Sequence, residues 1–598
     1  MQHSQVLIIG GGPSGMVSAL CLAQWGVSSI IIERNDDISE HPKAHELNAR
    51  SIEILEQLGI SDSSLAERAA PFSDGARILF CNTINEKFGR IDLYADEDRR
   101  KKYELHLKSK SPYLNISQTE IEKVIRTAVV DHPLIKLLYS HEWQSLKQKQ
   151  DGVDNVIWNK TSQKSINIHS DFVIAADGAS SPCRKFLGIN MTGPDKIQDF
   201  VSAYFETNLR EHVQFSAKLY WIFNPYSPGT FIAHHIEKRW VFMIPIFLKY
   251  QKKEDFTKSF FEEQIKLALG DKSLEINVES INFWRMSAQL ADTYRKGKVL
   301  LVGDAAHRFP PTGGLGMNTG IADAHNVCWK LAKVIQNNLS IEFLDSYELE
   351  RKPIAAQNSE ESVHNFHKIF EVMESFGLNR NGMEMMARIP KMIPFRWLPH
   401  SWTEHIINMG RRLAASQLNK FHKNKALQDK VRKSIADQVS HFDRLGLDIG
   451  YIYETGALIP DHSHHDLPES KVSEYSPTTS PGARFPYLDL SSKERDFSTH
   501  DFFDYQHFTL LIREDGRLWK EEFLVFDKEN PSQLRIIDID DIDLLPKTKK
   551  QLIELCQIDS SGAIIIRPDG HIAFRKKRIE EGESISLTSR FDKIFQLK

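Results

Sequence analysis

The chain has 598 residues, which is too many for one hydrophobic core, so we expect two to four domains. Its hydrophobic content of 41% and charged content of 26% are those of an ordinary globular protein. The formal net charge of −4 excludes the strongly basic surface that binding to nucleic acid or to an acidic membrane would need.

The N-terminal segment lacks a basic region, and its apolar run is too short for a secretory signal. No apolar stretch is long enough to span a membrane. Five scattered cysteines form no CxxC pair, which predicts neither a disulfide framework nor a zinc site and favours a cytoplasmic protein. His462, His464 and His465 lie close together, but such near neighbours rarely converge on one ion, so no metal site is predicted.

The first predicted unit is a strand, a glycine-rich turn and a helix. The apolar run Gln5–Gly10 is typical of a buried parallel strand, and Gly10, Gly12 and Gly15 have the spacing GxGxxG. Glycine permits the tight turn, the approach of the backbone to a pyrophosphate and close packing of helix on strand. A second strand ends at Glu33, where a carboxylate can bind ribose hydroxyls. The pattern predicts a dinucleotide site without separating NAD from FAD, and the expected contacts in these segments also include Pro13, Ser14 and Arg34.

The middle of the chain contains another strand that ends in an acidic motif. The segment Asp171–Lys185 reads DFVIAADGASSPCRK, in which Asp177 and Gly178 follow the strand and Ser181 and Arg184 come next. A run of strands with turns around 224–225 and 229 then predicts a second sheet.

A second glycine-rich turn follows the apolar strand Gly297–Asp304 and precedes a helix. In an open α/β sheet, ligands lie beyond the carboxyl ends of the strands. Asp304 can there accept hydrogen bonds from a ribityl chain, and the helix start can stabilise negative charge on a reduced flavin ring. A nicotinamide needs no second turn, so the two turns predict opposite ends of one FAD and argue against an ordinary NAD-dependent dehydrogenase. The expected contacts here are Gly303, Asp304, Pro311, Gly313, Gly314, Gly316, Met317 and Asn318.

The order of these motifs resembles that of the FAD-dependent aromatic hydroxylases, the class A flavoprotein monooxygenases. The pattern is GxGxxG near the start, DGxxSxxR in the middle, and GDAAH followed by PPxGGxGxN. Shorter matches are HPKAHELNAR, which contains Arg50, and NISQTEIE, which contains Gln118. The chain is most similar to the long phenol, chlorophenol and polyketide hydroxylases, whose thioredoxin-like C-terminal domain lacks redox cysteines. Here SPGARFPYLDL and IIIRPDGHIAFR match the entry and the final hairpin of that domain.

The resemblance implies an α/β fold in three parts: a Rossmann-type FAD-binding domain of the aromatic hydroxylase fold, a β-sheet substrate domain and a C-terminal thioredoxin-like domain. The expected FAD-binding segments are 1–75, 105–190 and 287–370, and the expected substrate-binding segments are 76–104 and 191–286. A helical connector, 371–450, leads to the thioredoxin-like domain, 451–598, which has no CxxC motif.

The resemblance also implies the reaction. NADPH or NADH reduces FAD, the reduced flavin traps O2 as a hydroperoxide, and this species hydroxylates a small aromatic substrate of phenolic or polyketide type. Arg50 and Gln118 are then expected on the flavin side of the site. Asp177, Gly178 and Arg184 belong to a segment shared between FAD support and nicotinamide docking, although an ion-pair network that braces the domain explains Asp177 and Arg184 equally well. A homodimer is left open.

Two residues are candidates for the base that deprotonates a phenol. His45 stands where some family members have an active-site acid or histidine, and a neutral imidazole can relay a phenolic proton. Tyr220 is the other candidate; strand alternation places it on the opposite face from Trp221, so that only one of them lines the pocket. Ordinary packing explains both candidates at least as well.

Two rival functions remain. The segment Trp240–Pro245 is similar to the WxWxIP signature of flavin-dependent halogenases, but Phe242 replaces the second tryptophan. A non-catalytic flavin-binding protein would use the thioredoxin-like domain for interactions, and the complete set of flavin motifs argues against it. Chloride dependence would identify the first rival, and absence of substrate-stimulated NADPH oxidation the second.

Overall fold

The computed structural model of the chain describes residues 2–596 except 42, 110, 247–251, 338, 379–399, 464–470, 492–496 and 532. The strands of the described residues are β1 Gln2–Ile9, β2 Ser29–Ile32, β3 Glu46–Asn48, β4 Arg77–Thr83, β5 Glu86–Asp92, β6 Tyr113–Asn115, β7 Ile135–Leu138, β8 His141–Gln148, β9 Val153–Asn159, β10 Lys164–Ala175, β11 Met191–Thr192, β12 Gln198–Glu206, β13 Leu219–Ile222, β14 Gly229–His235, β15 Arg239–Ile246, β16 Val278–Met286, β17 Gln289–Ala291, β18 Arg295–Lys296, β19 Val299–Leu301, β20 His307–Arg308, β21 Phe508–Ile512, β22 Leu534–Asp538, β23 Ala563–Ile566 and β24 Ile572–Lys576.

The helices of the same residues are α1 Pro13–Gln24, α2 Ala49–Gln57, α3 Asp62–Ala66, α4 Phe72–Gly75, α5 Glu97–His106, α6 Gln118–Val130, α7 Pro182–Phe186, α8 Lys258–Leu269, α9 Leu315–Asn337, α10 Asp345–Ser375, α11 His400–Asn419, α12 Lys425–Ala436, α13 Leu445–Ile449, α14 Arg517–Glu529, α15 Pro546–Cys556 and α16 Leu587–Ile594. No helix of this part of the chain is both long and apolar enough to cross a membrane.

Among the described residues, a mostly parallel sheet of eight strands forms the first layer, in the order β18-β19-β10-β1-β2-β7. Strand β18 is antiparallel to β19, and the hairpin β8–β9 adds to β10 in antiparallel orientation. Strand β1 lies between β10 and β2 and is parallel to both, and β10 is also parallel to β19. Residues 6–9 of β1 are buried, as expected for a strand covered on both faces. The sheet therefore brings the carboxyl ends of four neighbouring strands to one edge, although the chain leaves these strands at widely separated positions.

A second sheet has the order β16-β12-β15-β14-β13-β4-β5, and only β13 and β4 pair in parallel. Its apolar face contains Phe231, Trp240 and Phe242. Two polar contacts join this sheet to the short antiparallel pair β3–β6: Asn115 Nδ2 donates to the Ala233 carbonyl oxygen at 3.0 Å, and Lys218 Nζ lies 2.6 Å from Glu46.

The C-terminal sheet has the order β22-β21-β23-β24, with β21 parallel to β22 and antiparallel to β23. Together with α14, α15 and α16, this is the topology of a thioredoxin-like domain, and its cysteine, Cys556, is buried. The predicted α/β class with a Rossmann-type domain, a β-sheet domain and a thioredoxin-like domain is confirmed.

Buried ion pairs join the C-terminal domain to the helices behind the parallel sheet. Arg567 lies 2.8 Å from Glu350 on α10, and Glu350 also lies 2.8 Å from Lys330 on α9. Arg567 contacts Asp569 as well, and all four side chains are fully buried. Such clusters hold two domains in one fixed arrangement only while every charge keeps its partner.

Candidate active site

The two glycine-rich turns lie against each other. A methyl group at Gly303, which has φ +62°, would lie 2.6 Å from Oγ of Ser14 in the first turn. A methyl group at Gly320, on the helix after the second turn, would collide with the same hydroxyl. Segments almost 300 positions apart in the chain thus meet because β1 and β19 flank the same strand, β10.

Four of the predicted residues stand at the carboxyl ends of these neighbouring strands: Gly10 after β1, Glu33 after β2, Asp177 after β10 and Asp304 after β19. The Glu33 carboxylate accepts hydrogen bonds from the backbone N–H groups of Gly11 and Asn35, each at 2.9 Å. Glu33 is thereby held beside the first turn. Arg34, the next residue, is exposed.

The glycines of this edge fall into two groups. A methyl group at Gly10 or Gly15 would overlap backbone carbonyl oxygen, of Ala176 and Gly10 respectively, so these positions require glycine for packing alone. At Gly12 and Gly316, and likewise at Gly178, no atom of the described residues lies within 4 Å of an added methyl group. Bare backbone at Gly12 and Gly316, one in each turn, provides the open space that an extended dinucleotide needs.

Asp304 is exposed in a short turn whose neighbours, Gly303 and Ala305, are buried. Desolvation by the surrounding protein raises the pKa of the Asp304 carboxyl, whereas the nearby cations Lys43 and Arg308 oppose that increase. Lys43 is a residue that the sequence interpretation missed. It stands in the quoted segment HPKAHELNAR, and its charge also acts on Glu122, the acceptor of a hydrogen bond from Gln118 Nε2 at 2.6 Å.

The second turn is held by side chains from distant elements. Asn318 Nδ2 donates to the carbonyl oxygens of Gly314 at 2.8 Å and Glu46 at 3.0 Å, and Arg444 donates to the Gly313 carbonyl oxygen. The Pro311 carbonyl oxygen accepts from Gly314 N at 3.0 Å. These bonds orient the turn, so the side chain of Asn318 acts here as a clamp. Of the remaining predicted contacts, Pro13 begins α1, and Met317 packs against the main apolar core.

Two predicted arginines make structural contacts. Arg50 donates from Nη2 to the Asp569 carbonyl oxygen at 2.7 Å and pairs with Glu53, so its guanidinium faces the thioredoxin-like domain. Arg184 donates from Nη1 to the Ala305 carbonyl oxygen at 2.9 Å and braces the turn after β10 against the second glycine-rich turn. For Arg184 this is the bracing role that the sequence left open, and Arg50 Nε is buried without a hydrogen-bond partner among the described residues. Contacts of either side chain with the cofactor stay predictions.

Asp177 is likewise engaged within its own turn, since Oδ2 accepts from the backbone N–H of Cys183 at 3.0 Å. Its Oδ1 is buried without a hydrogen-bond partner among the described residues. Burial raises the pKa of the Asp177 carboxyl. One carboxylate oxygen is thus still available to a ligand at this edge.

His45 lies immediately before β3. Its Nδ1 is 3.0 Å from Asn115 Oδ1, and Asn115 uses its amide group to donate to the Ala233 carbonyl oxygen. Asn115 therefore presents an acceptor to His45, so Nδ1 carries the proton and Nε2 carries the lone pair. Burial lowers the pKa of His45 from its ordinary value of 6.5, in spite of the opposing charge of Glu46. The site thus contains a neutral imidazole with an accepting Nε2.

Tyr220 occupies a different environment. Its ring lies in the apolar core of the second sheet, while Trp221 faces the opposite side, as strand alternation predicts. The Tyr220 hydroxyl donates to the Phe215 carbonyl oxygen at 2.8 Å and accepts from Ala217 N at 3.0 Å. These two backbone bonds give the Tyr220 hydroxyl a structural role.

No group of three or more His, Cys, Asp or Glu side chains within the described ranges is arranged to hold a metal ion. His464 and His465 lie outside those ranges.

The fold and the paired turns define a flavoprotein with a Rossmann-type FAD-binding domain. A family model described as "FAD binding domain" matches residues 3–362, and one described as "Aromatic-ring hydroxylase, C-terminal" matches residues 478–596. The chain belongs to the FAD-dependent aromatic-ring hydroxylases, in agreement with the resemblance of its motifs.

Named relatives cover almost the whole chain. The 2,4-dichlorophenol 6-monooxygenase of Cupriavidus pinatubonensis is 25% identical over 99% of this chain and 96% of that protein. The phenol 2-monooxygenase of a Pseudomonas species is 26% identical over 96% of this chain and 90% of that protein. The crystal structure of the flavin-dependent monooxygenase PieE in complex with FAD and substrate matches with a TM-score of 0.87 at 26% identity, over 100% of this chain and 99% of that one. The chain is thus an FAD-dependent oxidoreductase, and FAD is its cofactor.

Proposed function

We propose that the protein hydroxylates a phenolic ring with NAD(P)H and O2 as co-substrates. The observation that carries the proposal is the contact between the two turns. It brings the bare backbone of Gly12 and Gly316 and the side chain of Asp304 to one edge of the sheet. The residue after His45, Glu46, contacts the second turn: its carbonyl oxygen accepts from Asn318 Nδ2 at 3.0 Å, and its side chain packs beside Gly314. The proposed base, His45, therefore stands next to this turn. When bound, FAD supplies hydride acceptance from the nicotinamide and activation of O2.

We further propose how the chain holds this cofactor. The turn Gly10–Gly15 and Glu33 bind the adenosine and pyrophosphate end, since helix α1 starts there and its N–H groups attract phosphate. Asp304 accepts hydrogen bonds from the ribityl hydroxyls, and the start of α9 with Gly316 lies beside the ring. The positive charge of Lys43 partly neutralises the negative charge of Asp304. Gln118 fixes the segment that carries Lys43, because its Oε1 accepts from Ala44 N at 3.4 Å.

The role proposed for His45 is to take the phenolic proton on Nε2. A phenolate is the more electron-rich ring, and a neutral imidazole is available at neutral pH because burial lowers its pKa. Glu46 is paired with Lys218 and Arg444, so its charge is neutralised and does not compete for the proton.

Substitution of His45 provides a test with a pH signature. His45→Asn is expected to lower kcat by about 100-fold or more, since general base catalysis contributes on that scale. In the wild-type protein kcat/KM should be constant near neutral pH and fall only in acid, at a lower pH than for an ordinary histidine, because burial lowers the pKa of His45; the variant should lose this acid limb. The matched control is His235→Asn, because His235 is half-buried with its ring Nδ1 3.3 Å from the backbone N–H of Glu237. An unchanged acid limb in His45→Asn contradicts the assignment.

The proposed activity is tested on the purified full-length protein. The visible spectrum should show bound flavin, and phenols should increase NADPH or NADH oxidation with a product that is heavier by one oxygen atom in mass spectrometry. A chlorinated or brominated product that depends on halide would favour the halogenase, and flavin binding without substrate-stimulated oxidation would favour the non-catalytic protein. The tryptophan-containing segment Trp240–Pro245 argues against the halogenase, because its buried aromatic rings form the apolar core of the second sheet.

Three further assignments belong to the proposal. The domain division stated above is supported by the second sheet, all seven strands of which fall within 76–104 and 191–286. A cytoplasmic location is supported by the five cysteines, which are buried and unpaired. A homodimer is to be tested by sedimentation.

A further inference from the structure

A second histidine stands next to His45 in the same part of the structure. His234 lies on β14, where pairing with β15 shifts register between Ala233 and His235. Such irregularities commonly re-aim a side chain near an active site. The rings of His234 and His45 are 5.5 Å apart between centroids and meet edge to face at 79°. His234 therefore belongs to the surface that surrounds the His45 imidazole, on the sheet assigned to the substrate.

The imidazole of His234 is only 3% exposed, and neither of its nitrogens has a hydrogen-bond partner in the described part of the chain. Other buried histidines differ in this respect: His307 bonds to Asp323 at 2.6 Å, and His571 to the Gly482 carbonyl oxygen at 2.9 Å. A buried donor and a buried acceptor that are both unpaired are strongly unfavourable. The His234 side chain thus has hydrogen-bonding capacity that only a ligand or a water molecule can use.

The charge state of His234 restricts what that ligand is. Burial, together with the neighbouring His45, Arg239 and His41, lowers the pKa of His234 well below 6.5, so the ring is neutral. A neutral imidazole offers one N–H donor and one lone pair. It suits a hydroxyl or carbonyl oxygen rather than a carboxylate, which would prefer a cation.

We propose that His234 is a substrate-binding residue that hydrogen-bonds a second oxygen on the aromatic substrate, while His45 receives the proton of the first. The substrate class is then a phenol with two neighbouring oxygen substituents, such as a catechol or a peri-dihydroxylated polycycle. This inference rests on the proposed function. It adds a requirement for the second oxygen, which the family membership does not contain.

The test compares matched pairs of probes that differ by one hydroxyl: phenol with catechol, and 1-naphthol with 1,8-dihydroxynaphthalene. Dissociation constants are measured without oxygen from the change in flavin absorbance of the FAD-loaded full-length protein. His234→Leu removes both ring nitrogens, whereas His234→Asn keeps a donor and an acceptor. His235→Leu is the control, because it makes the same change one residue further along the strand. Flavin content and circular dichroism establish that each variant is folded.

The wild-type protein is expected to bind the dihydroxy member of at least one pair more tightly. His234→Leu should weaken binding of that member by about 10-fold and leave the monohydroxy member within about 2-fold, as expected for one lost hydrogen bond to a buried group. His234→Asn should retain most of the preference, and His235→Leu all of it. If the wild-type protein hydroxylates phenols but shows no such preference, or if His234→Leu weakens both members equally, the assignment of His234 is overturned alone. If no probe binds or reacts, the proposed function fails, and this inference fails with it.

Discussion

Replacement of Gly15 by alanine is expected to destabilise the protein even when no cofactor is bound. The added methyl group would overlap the carbonyl oxygen of Gly10, and a backbone atom cannot move aside as a flexible side chain can. Overpacking of this kind costs about 1–3 kcal/mol and exceeds the gain of up to ~1 kcal/mol that alanine brings to the interior of α1. Thermal unfolding of the apoprotein should show a transition lower by several degrees, and the purified variant should contain little flavin.

Gly12→Ala is the matched control, because it makes the same chemical change three residues earlier. Gly12 has φ −76°, which alanine adopts freely, and nothing lies within 4 Å of the added methyl group. The apoprotein should therefore unfold within about 0.5 kcal/mol of wild type. Its affinity for FAD should nevertheless fall, because the methyl group points into the space proposed for the pyrophosphate. Equal loss of apoprotein stability in both variants would show that the two glycines do not have these separate roles.

Removal of the Arg567 guanidinium is expected to have the largest effect on stability. Arg567→Met leaves the buried carboxylate of Asp569 without its cation and leaves the buried carboxylate of Glu350 with Lys330 as its remaining cation. Breaking a buried pair in this way costs about 3–5 kcal/mol. Urea unfolding at neutral pH should reveal this loss. Arg578→Met is the control: Arg578 and its partner Glu580 are 66% and 61% exposed, so the urea midpoint should stay at the wild-type value.

The same cluster predicts a pH dependence. Pairing with Arg567 and Lys330 lowers the pKa of Glu350 from 4.5 to about 2, so the carboxylate contributes stability above pH 4.5. That contribution is lost as the pH falls from about 4.5 towards 2, because the folded protein must then accept a proton that the unfolded chain already holds. The difference in stability between wild type and Arg567→Met should therefore shrink between pH 5 and pH 3. A constant difference over this range would contradict the assigned ion pairs.

The parts of the site that depend on local pattern could be predicted from the sequence. An apolar run followed by glycines at fixed spacing requires a buried strand, a tight turn and a helix, whatever the rest of the chain does. Gly15 illustrates this, because the carbonyl oxygen that excludes a side chain there is that of Gly10 in the same turn. The position of Asp304 after a buried strand was predicted for the same reason, and the structure has it there.

Contacts between side chains that are far apart in the sequence could not be predicted. Arg50 stands in a motif of the FAD-binding domain, yet its hydrogen-bond partner is the carbonyl oxygen of Asp569, which belongs to another domain. Tyr220 was a candidate base from its strand position alone. In the structure its ring lies in the core of the second sheet and its hydroxyl bonds to two backbone groups. The hydrophobic periodicity of a single strand or helix does not reveal such contacts, because they depend on which elements and domains pack together.

The amino-acid sequence by itself determined the class of fold, the two glycine-rich turns and the cofactor. Each turn follows from the residues within one strand–turn–helix unit, whereas FAD and the class of fold follow from the presence of both turns and the order of the motifs along the chain. Only the tertiary structure decided that Ser14 touches the second turn, that Asn115 sets the protonated nitrogen of His45, and that His234 lies beside it unpaired. These are contacts between residues 70 or more positions apart in the sequence, and the free energy that sets them comes from burial of whole faces rather than from the pattern of any one segment.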